Sequence, residues 1–188
     1  MRVMFLSAAV LASTSAAAFE VDLGVEGGAA VAFSQNVTGS ELSGTAGLLL
    51  QLRWPVGPLE TAIWVDAGLP YSIGTATDGS NVVHTASYFP DDLGLRLGLR
   101  FSRVRPYVGA LVEADAQVGS GFASTSFIAL GGDAGFDVVV GSFRIGLELR
   151  AAWSVTALTS CDFCDASIVT FAGRATVLRG LLSVRYVL

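Results

Sequence analysis

From Phe19 onward, apolar and polar residues take turns along the chain. Phe19, Val21, Leu23 and Val25 share a parity with Val31 and Phe33, while Glu20, Asp22, Gly24 and Glu26 hold the other. Side chains of a strand point alternately to its two faces, so an apolar parity of period two marks a strand with one face buried. The alternation returns six more times. Leu48, Leu50, Leu52 and Trp54 oppose Gly47, Gln51 and Arg53, and Leu59, Thr61, Ile63 and Val65 oppose Glu60, Ala62 and Asp66. Leu93, Leu95, Leu97, Leu99 and Phe101 interleave with Asp92, Gly94, Arg96, Gly98 and Arg100. Val108, Ala110, Val112 and Ala114 interleave with Gly109, Leu111, Glu113 and Asp115. Ile128, Leu130, Ala134, Phe136 and Val138 face away from Gly131, Asp133, Gly135 and Asp137. Phe143, Ile145, Leu147 and Leu149 do the same against Arg144, Gly146, Glu148 and Arg150. The last stretch begins near Ile168 and changes phase. Val169, Phe171, Ala175 and Val177 share one face, then Leu182, Val184, Tyr186 and Leu188 share one after a slip near Arg179-Gly180. A single strand with a β-bulge at Gly180 accounts for the slip, and so does a turn leading to a ninth strand. Nine strands would put the chain ends on opposite sides, so eight with a bulge are expected.

The connections alternate too. Pro55–Pro58, Ser102–Arg105 and Val140–Ser142 are short turns, whereas Ser34–Gly44, Pro70–Pro90, Gly119–Ser126 and Val155–Ser167 are long linkers rich in small polar residues. Short turns at one end and long loops at the other are the layout of outer-membrane barrels.

Composition sharpens this picture. The 188 residues are 52% hydrophobic and 14% charged, with a mean hydropathy of +0.61, against about 25% charged residues in ordinary soluble domains. Beyond the N-terminus no apolar run reaches the roughly 18 residues a spanning helix needs. Helical membrane proteins and disordered chains are both excluded. The net charge of −5 without a basic run excludes nucleic acid as a partner. The fold class that remains is all-β: an eight-stranded antiparallel up-and-down transmembrane β-barrel. In lipid only a closed barrel satisfies the backbone of a sheet. The apolar faces then point outward and the charged faces inward. The expected lumen network is Glu20, Asp22, Glu26, Arg53, Glu60, Asp66, Asp92, Arg96, Arg100, Glu113, Asp115, Asp133, Asp137, Arg144, Glu148, Arg150, Arg174 and Arg185. Interior glycines leave room for the arginines, and Arg103, Arg105 and Arg179 are expected at the short-turn end. All eleven basic residues are Arg, the cation that best tolerates burial in bidentate pairs. Aromatic girdles are expected from Phe19, Trp54, Phe101, Phe143 and Tyr186 at the turn end. At the loop end they come from Phe33, Tyr88 or Phe89, Phe127, Trp153 and Phe171.

Arg105-Pro106-Tyr107-Val108-Gly109-Ala110 is similar to a strand opening common among small outer-membrane barrels of the OmpA/OmpX type, and the whole segment 19–188 resembles that group. The tail Leu182–Leu188 resembles the C-terminal signal read by the barrel-assembly machinery, with Tyr186 and Leu188 at its signature positions; Leu188 stands where Phe is usual. The resemblance implies fold and outer-membrane localisation. Structural anchors and adhesins both occur in the group, so a structural or interaction role is the leading expectation and a narrow or gated pore the alternative.

Met1–Ala18 reads as a secretory signal peptide: Arg2, the apolar Val3–Ala12, then Ala16-Ala17-Ala18 before a cleavage site at Phe19. The expected partners are outer-membrane lipid, lipopolysaccharide and the barrel-assembly machinery. Cys161 and Cys164 sit in the fourth long loop, and in an oxidising compartment a disulfide is the default, with a free thiol or a metal site as alternatives. Lipid A deacylases are eight-stranded barrels that resemble Ser/His/acid hydrolases. They carry a His and a Ser on a strand near the C-terminus, whereas His84, the single histidine, falls in a loop of the first half. No catalytic residue, cofactor or metal is therefore expected. The long loops carry Glu41, Asp78, Asp91, Asp162 and Asp165, an acidic rim.

Overall fold

The computed structural model describes residues 19–34, 42–77, 83–119, 125–159 and 175–188. All regular structure among them is β: β1 (Glu20–Ser34), β2 (Leu42–Val56), β3 (Leu59–Gly68), β4 (Tyr71–Thr77), β5 (Val83–Leu99), β6 (Val104–Gly119), β7 (Thr125–Val140), β8 (Phe143–Thr159) and β9 (Ala175–Val187). Apart from β3 and β4, neighbours in the chain pair antiparallel, β1 pairs with β9, and β3 pairs with both β2 and β5. The sheet closes on itself and leaves no edge along its lower part. β3 and β4 are two halves of one stave, so nine segments make an eight-stranded barrel. Pro70, which has no N–H to donate, follows the point where β2–β3 pairing ends. The last bond there runs from the Leu69 N–H to the Ala46 carbonyl at 2.7 Å. Past it, β4 pairs only with β5, with a register shift between Ser72 and Gly74.

Three tight turns gather at one end, together with Phe19 and Leu188. Gly57 and Gly141 take the left-handed φ of 63° and 61° that two-residue hairpins require, and Ser102 adopts 47° in the third. The other end differs from expectation. Much of the expected linker Pro70–Pro90 is strand, Tyr71–Thr77 and Val83–Pro90 forming a paired hairpin, and β8 continues to Thr159. His84 therefore lies on β5, its backbone opposite Ala76, and Asp91 is an outward-facing residue of the same strand. Polar Ser- and Thr-rich segments stay in the ladder because hairpin pairing goes on satisfying their backbone beyond the apolar belt. The strands reach 17 residues, against the roughly 9–11 that cross a bilayer.

The expected bulge at Gly180 is absent. Gly180 pairs with Ala29 and with Leu149 in unbroken register. Thr176, Leu178, Leu182 and Val184 face out, and Val177, Arg179, Leu181, Ser183 and Arg185 face in. The apparent slip arose because Val177 and Leu181 are apolar residues of the inner face. Besides the one in β4, a register shift lies between Ile128 and Ala129 on β7, where β8 gains Val155.

The barrel is polar within and apolar without. Leu95, Val108 and Leu149 are 61–69% exposed. Asp22, Arg53, Glu113, Asp137, Arg144 and Arg185 are buried almost completely. Trp153 and Phe33 stand outward toward the long-strand end, and Phe19, Phe101, Phe143 and Tyr186 outward at the turn end. There Phe143 and Tyr186 meet edge to face at 5.4 Å. The expected leader Met1–Ala18, Arg174, Phe171, the two cysteines and the loop acids Glu41, Asp78, Asp162 and Asp165 lie outside the described residues. So do the side chains of His84, Tyr88, Phe89, Asp115 and Phe127.

Candidate functional site

The lumen is built from rows of directly opposed residues that wind round the barrel. One row reads Ala62, Arg96, Gly109, Asp133, Arg150, Arg179, Ala30. Another reads Glu60, Gly98, Tyr107, Gly135, Glu148, Leu181, Gly28. A third begins Asp22, Gln51, Trp64, Gly94, Leu111, Gly131, Ala152. Several long side chains, Trp64, Arg96, Tyr107 and Glu148 among them, have a glycine opposite on an adjacent stave. A methyl group on Gly94 would fall 2.4 Å from the Trp64 ring, and one on Gly135 would fall 2.8 Å from the Tyr107 hydroxyl. The glycines are what let arginine and tryptophan lie flat inside so narrow a barrel.

Near the turns, four guanidiniums meet four carboxylates. Arg53 reaches Asp22 at 2.6 Å, Asp137 at 2.7 Å and also Glu60. Arg105 reaches Glu60 at 2.7 Å, Arg144 pairs with Glu20 and lies 3.2 Å from Asp22, and Arg185 pairs with Asp137. The Gln51 side-chain carbonyl accepts from both Arg53, at 2.8 Å, and Arg185.

Farther from the turns the balance changes. Arg150 donates to Glu26 at 2.6 Å, to Asp66 and Asp92 at 2.8 Å each, and to Glu148 at 2.5 Å. Arg179 reaches Asp92 at 2.8 Å and Glu113 at 2.6 Å. Arg96 pairs with Asp133 and lies 2.5 Å from Glu148. Six carboxylates here meet three guanidiniums, so the described lumen holds ten acids and seven arginines. Burying this many charges is tolerable only where partners are close. Among the described residues no group of three or more His, Cys, Asp or Glu is arranged to hold a metal ion.

At mid-height an aromatic stack crosses the lumen. Arg96 and Arg150 lie over the ring of Trp64, at 4.4 and 4.3 Å from its centroid, and Arg96 also lies 4.5 Å from the Tyr107 ring. One carboxylate holds the stack together. Glu148 Oε1 accepts from Arg96 Nη2 and Arg150 Nε, and its Oε2 accepts from the Tyr107 hydroxyl at 2.8 Å. Trp64 also joins a cluster with Leu49, Leu111, Ala129 and Ala152, an uncharged collar on the inner wall.

A scan of protein-family models finds no match to the chain, and a search of curated protein sequences finds none. Among solved structures, Neisserial surface protein A (NspA) matches with a TM-score of 0.54 and 15% identity, over 89% of this chain and 96% of its own. Ail, the attachment invasion locus protein of Yersinia pestis, matches with a TM-score of 0.54 and 14% identity, over 90% of this chain and 97% of its own. The fold is that of the small OmpA/OmpX-type barrels.

Within that fold, most of the expected lumen residues converge. Arg100 does not: it stands half-buried at the turn end with no ion pair among the described residues. Arg105, at the turn end as expected, points into the lumen, and Arg179, expected there too, lies in the lumen farther from the turns. Arg179 shares its parity with Ser183 and Arg185, a signal hidden by the supposed bulge. Trp64 and Tyr107 were missed as lumen residues. Trp64 shares its parity with Glu60 and Asp66, and Tyr107 with Arg105 and Gly109, but each looks like an outward girdle residue by composition.

Proposed function

We propose that the chain is an integral barrel of the bacterial outer membrane that serves as a structural or interaction element, with its lumen shut. One observation carries this reading: the hydrophobic side chains stand on the outside and the charged ones are buried inside, the reverse of a soluble barrel. A surface of this kind is stable in lipid and aggregates in water. The likeness of fold to two bacterial surface proteins supports it. On this reading the leader directs export, the C-terminal strand is presented to the barrel-assembly machinery, and the apolar belt meets lipid and lipopolysaccharide. The acidic residues of the long loops lie beside the cations that bridge lipopolysaccharide. The chain acts without cofactor or catalytic group.

The test is expression with fractionation and gel mobility. The protein is expected in the detergent-extracted membrane fraction, with different mobility before and after boiling and a β-type circular dichroism spectrum. Recovery as a soluble species without detergent overturns the reading. Pure folded wild-type protein is expected to give no conductance steps in a planar bilayer; regular steps would overturn the shut lumen and leave the membrane barrel standing.

A further inference from the structure

We propose that Trp64 is the gate of a cation path through this barrel, held shut by Arg96 and Arg150 with Glu148 as the latch. The proposal rests on the reading of the barrel as membrane-spanning and goes beyond its role as a shut structural element. Three observations carry it. The first is the collar. Trp64 is 1% exposed and is the largest of its apolar cluster; the others are two leucines and two alanines. An apolar constriction stops ions because water leaves it, and one bulky ring supplies most of the obstruction. The second is the clamp. Two guanidiniums stack against the ring, at 4.4 and 4.3 Å from its centroid, and Gly94, opposite it on the next stave, leaves the room in which it lies. The indole N–H is buried with no hydrogen-bond partner among the described residues, so packing and the two cations fix the ring, not a hydrogen bond of its own. The third is the charge balance of the lumen. The turn-side cluster is balanced, four against four, whereas six carboxylates face three guanidiniums beyond it. A lumen with excess acid concentrates cations at its mouth.

Glu148 acts through the arginines, as a positioning residue. Its Oε1 is the acceptor that Arg96 and Arg150 share, so losing its charge uncouples the two stacked cations, which keep Asp133 and the carboxylates of Glu26, Asp66 and Asp92 as their other partners. The experiment uses the full-length folded protein in planar bilayers under a KCl gradient. Trp64→Ala is expected to give steady conductance steps with a reversal potential shifted toward that of K⁺. Trp64→Phe, which keeps a ring on Gly94, is expected to stay silent. Glu148→Gln keeps the shape of the side chain and is expected to flicker between open and closed. A second readout isolates the latch: with Trp54 and Trp153 replaced by Phe, Trp64 fluorescence is shielded from acrylamide, and Glu148→Gln exposes it.

A heat-modifiable, folded Trp64→Ala protein that stays silent overturns the gate, and one that prefers chloride overturns the cation path. If Trp64→Ala fails to fold, the Glu148→Gln protein decides: silence together with a shielded Trp64 overturns the proposal. Steps of equal size in wild type and Trp64→Ala overturn it as well. Failure of the protein to enter membranes at all would instead sink the membrane reading on which it rests.

Discussion

Gly94 and Trp64 stand opposite each other on neighbouring staves and share the space of one side chain. A methyl group at Gly94 has nowhere to go, since the ring beside it is held by two stacked guanidiniums. Gly94→Ala is therefore expected to lower the unfolding free energy by about 1–3 kcal/mol, the usual cost of overpacking, in urea titrations of protein folded into lipid vesicles. The charges allow a sharper contrast. Asp137 accepts from Arg53 and Arg185 and is wholly buried, so its removal strands two guanidiniums. Asp137→Ala is expected to cost about 3–5 kcal/mol in the same titration, the range for breaking a buried pair. Arg100→Ala, at the half-buried turn end, is expected to change stability by less than about 0.5 kcal/mol, as surface substitutions do. Equal losses from Asp137→Ala and Arg100→Ala would mean that the lumen pairs contribute no more than the rim.

At the level of the strand, parity decides everything, and β9 is the sharpest case. Thr176, Leu178, Leu182 and Val184 share the outer face without interruption. Single cysteines at Leu178 and Leu182 are expected to react with a lipid-soluble thiol probe, and a cysteine at Val177 to be protected. Protection at Leu178 with reaction at Val177 would restore the bulge. β9 also shows why the sequence was read correctly in one respect and not in another. Alternation names a strand and its greasy face wherever the inner face is charged or glycine, as in β5. It fails where an inner residue is itself apolar, because period two then vanishes from composition although the geometry keeps it. Val177, Leu181, Trp64 and Leu49 are all of this kind. The upper strands were misread for the opposite reason. Beyond the apolar belt both faces are polar, so paired backbone such as Tyr71–Thr77 has no pattern by which to be recognised. Which arginine meets which acid was never legible, because a pairing such as Arg150 with Glu26 depends on rows that cross the whole barrel.

For the molecule as a whole, the reversal of inside and outside sets what the surface tolerates. Leu95 and Leu147 are large, exposed and flanked on their outer faces by apolar residues, Leu93 and Leu97 on one stave and Ile145 and Leu149 on the other. Arg at either position is expected to cost about 2–4 kcal/mol in vesicles, the range for a cation at the middle of a lipid-facing strand. The measurement is the same urea titration, and a cost near zero would argue that this face meets water. The all-arginine interior bears on the same point. Arg stays charged at any ordinary pH, so the positive half of the network is fixed.

The seam between β1 and β9 joins the first described strand to the last over thirteen opposed positions, ending with the Leu188 N–H on the Val21 carbonyl. It also sets a timetable. Every other stave can find its neighbour as the chain emerges, but this pairing waits for the final residues. Until then the protein is an open sheet with two bare margins, each able to recruit a stranger. Pairings so distant in sequence form slowly. The interval before the ends meet is thus the dangerous one in the life of this molecule, and a chain cut short would never leave it.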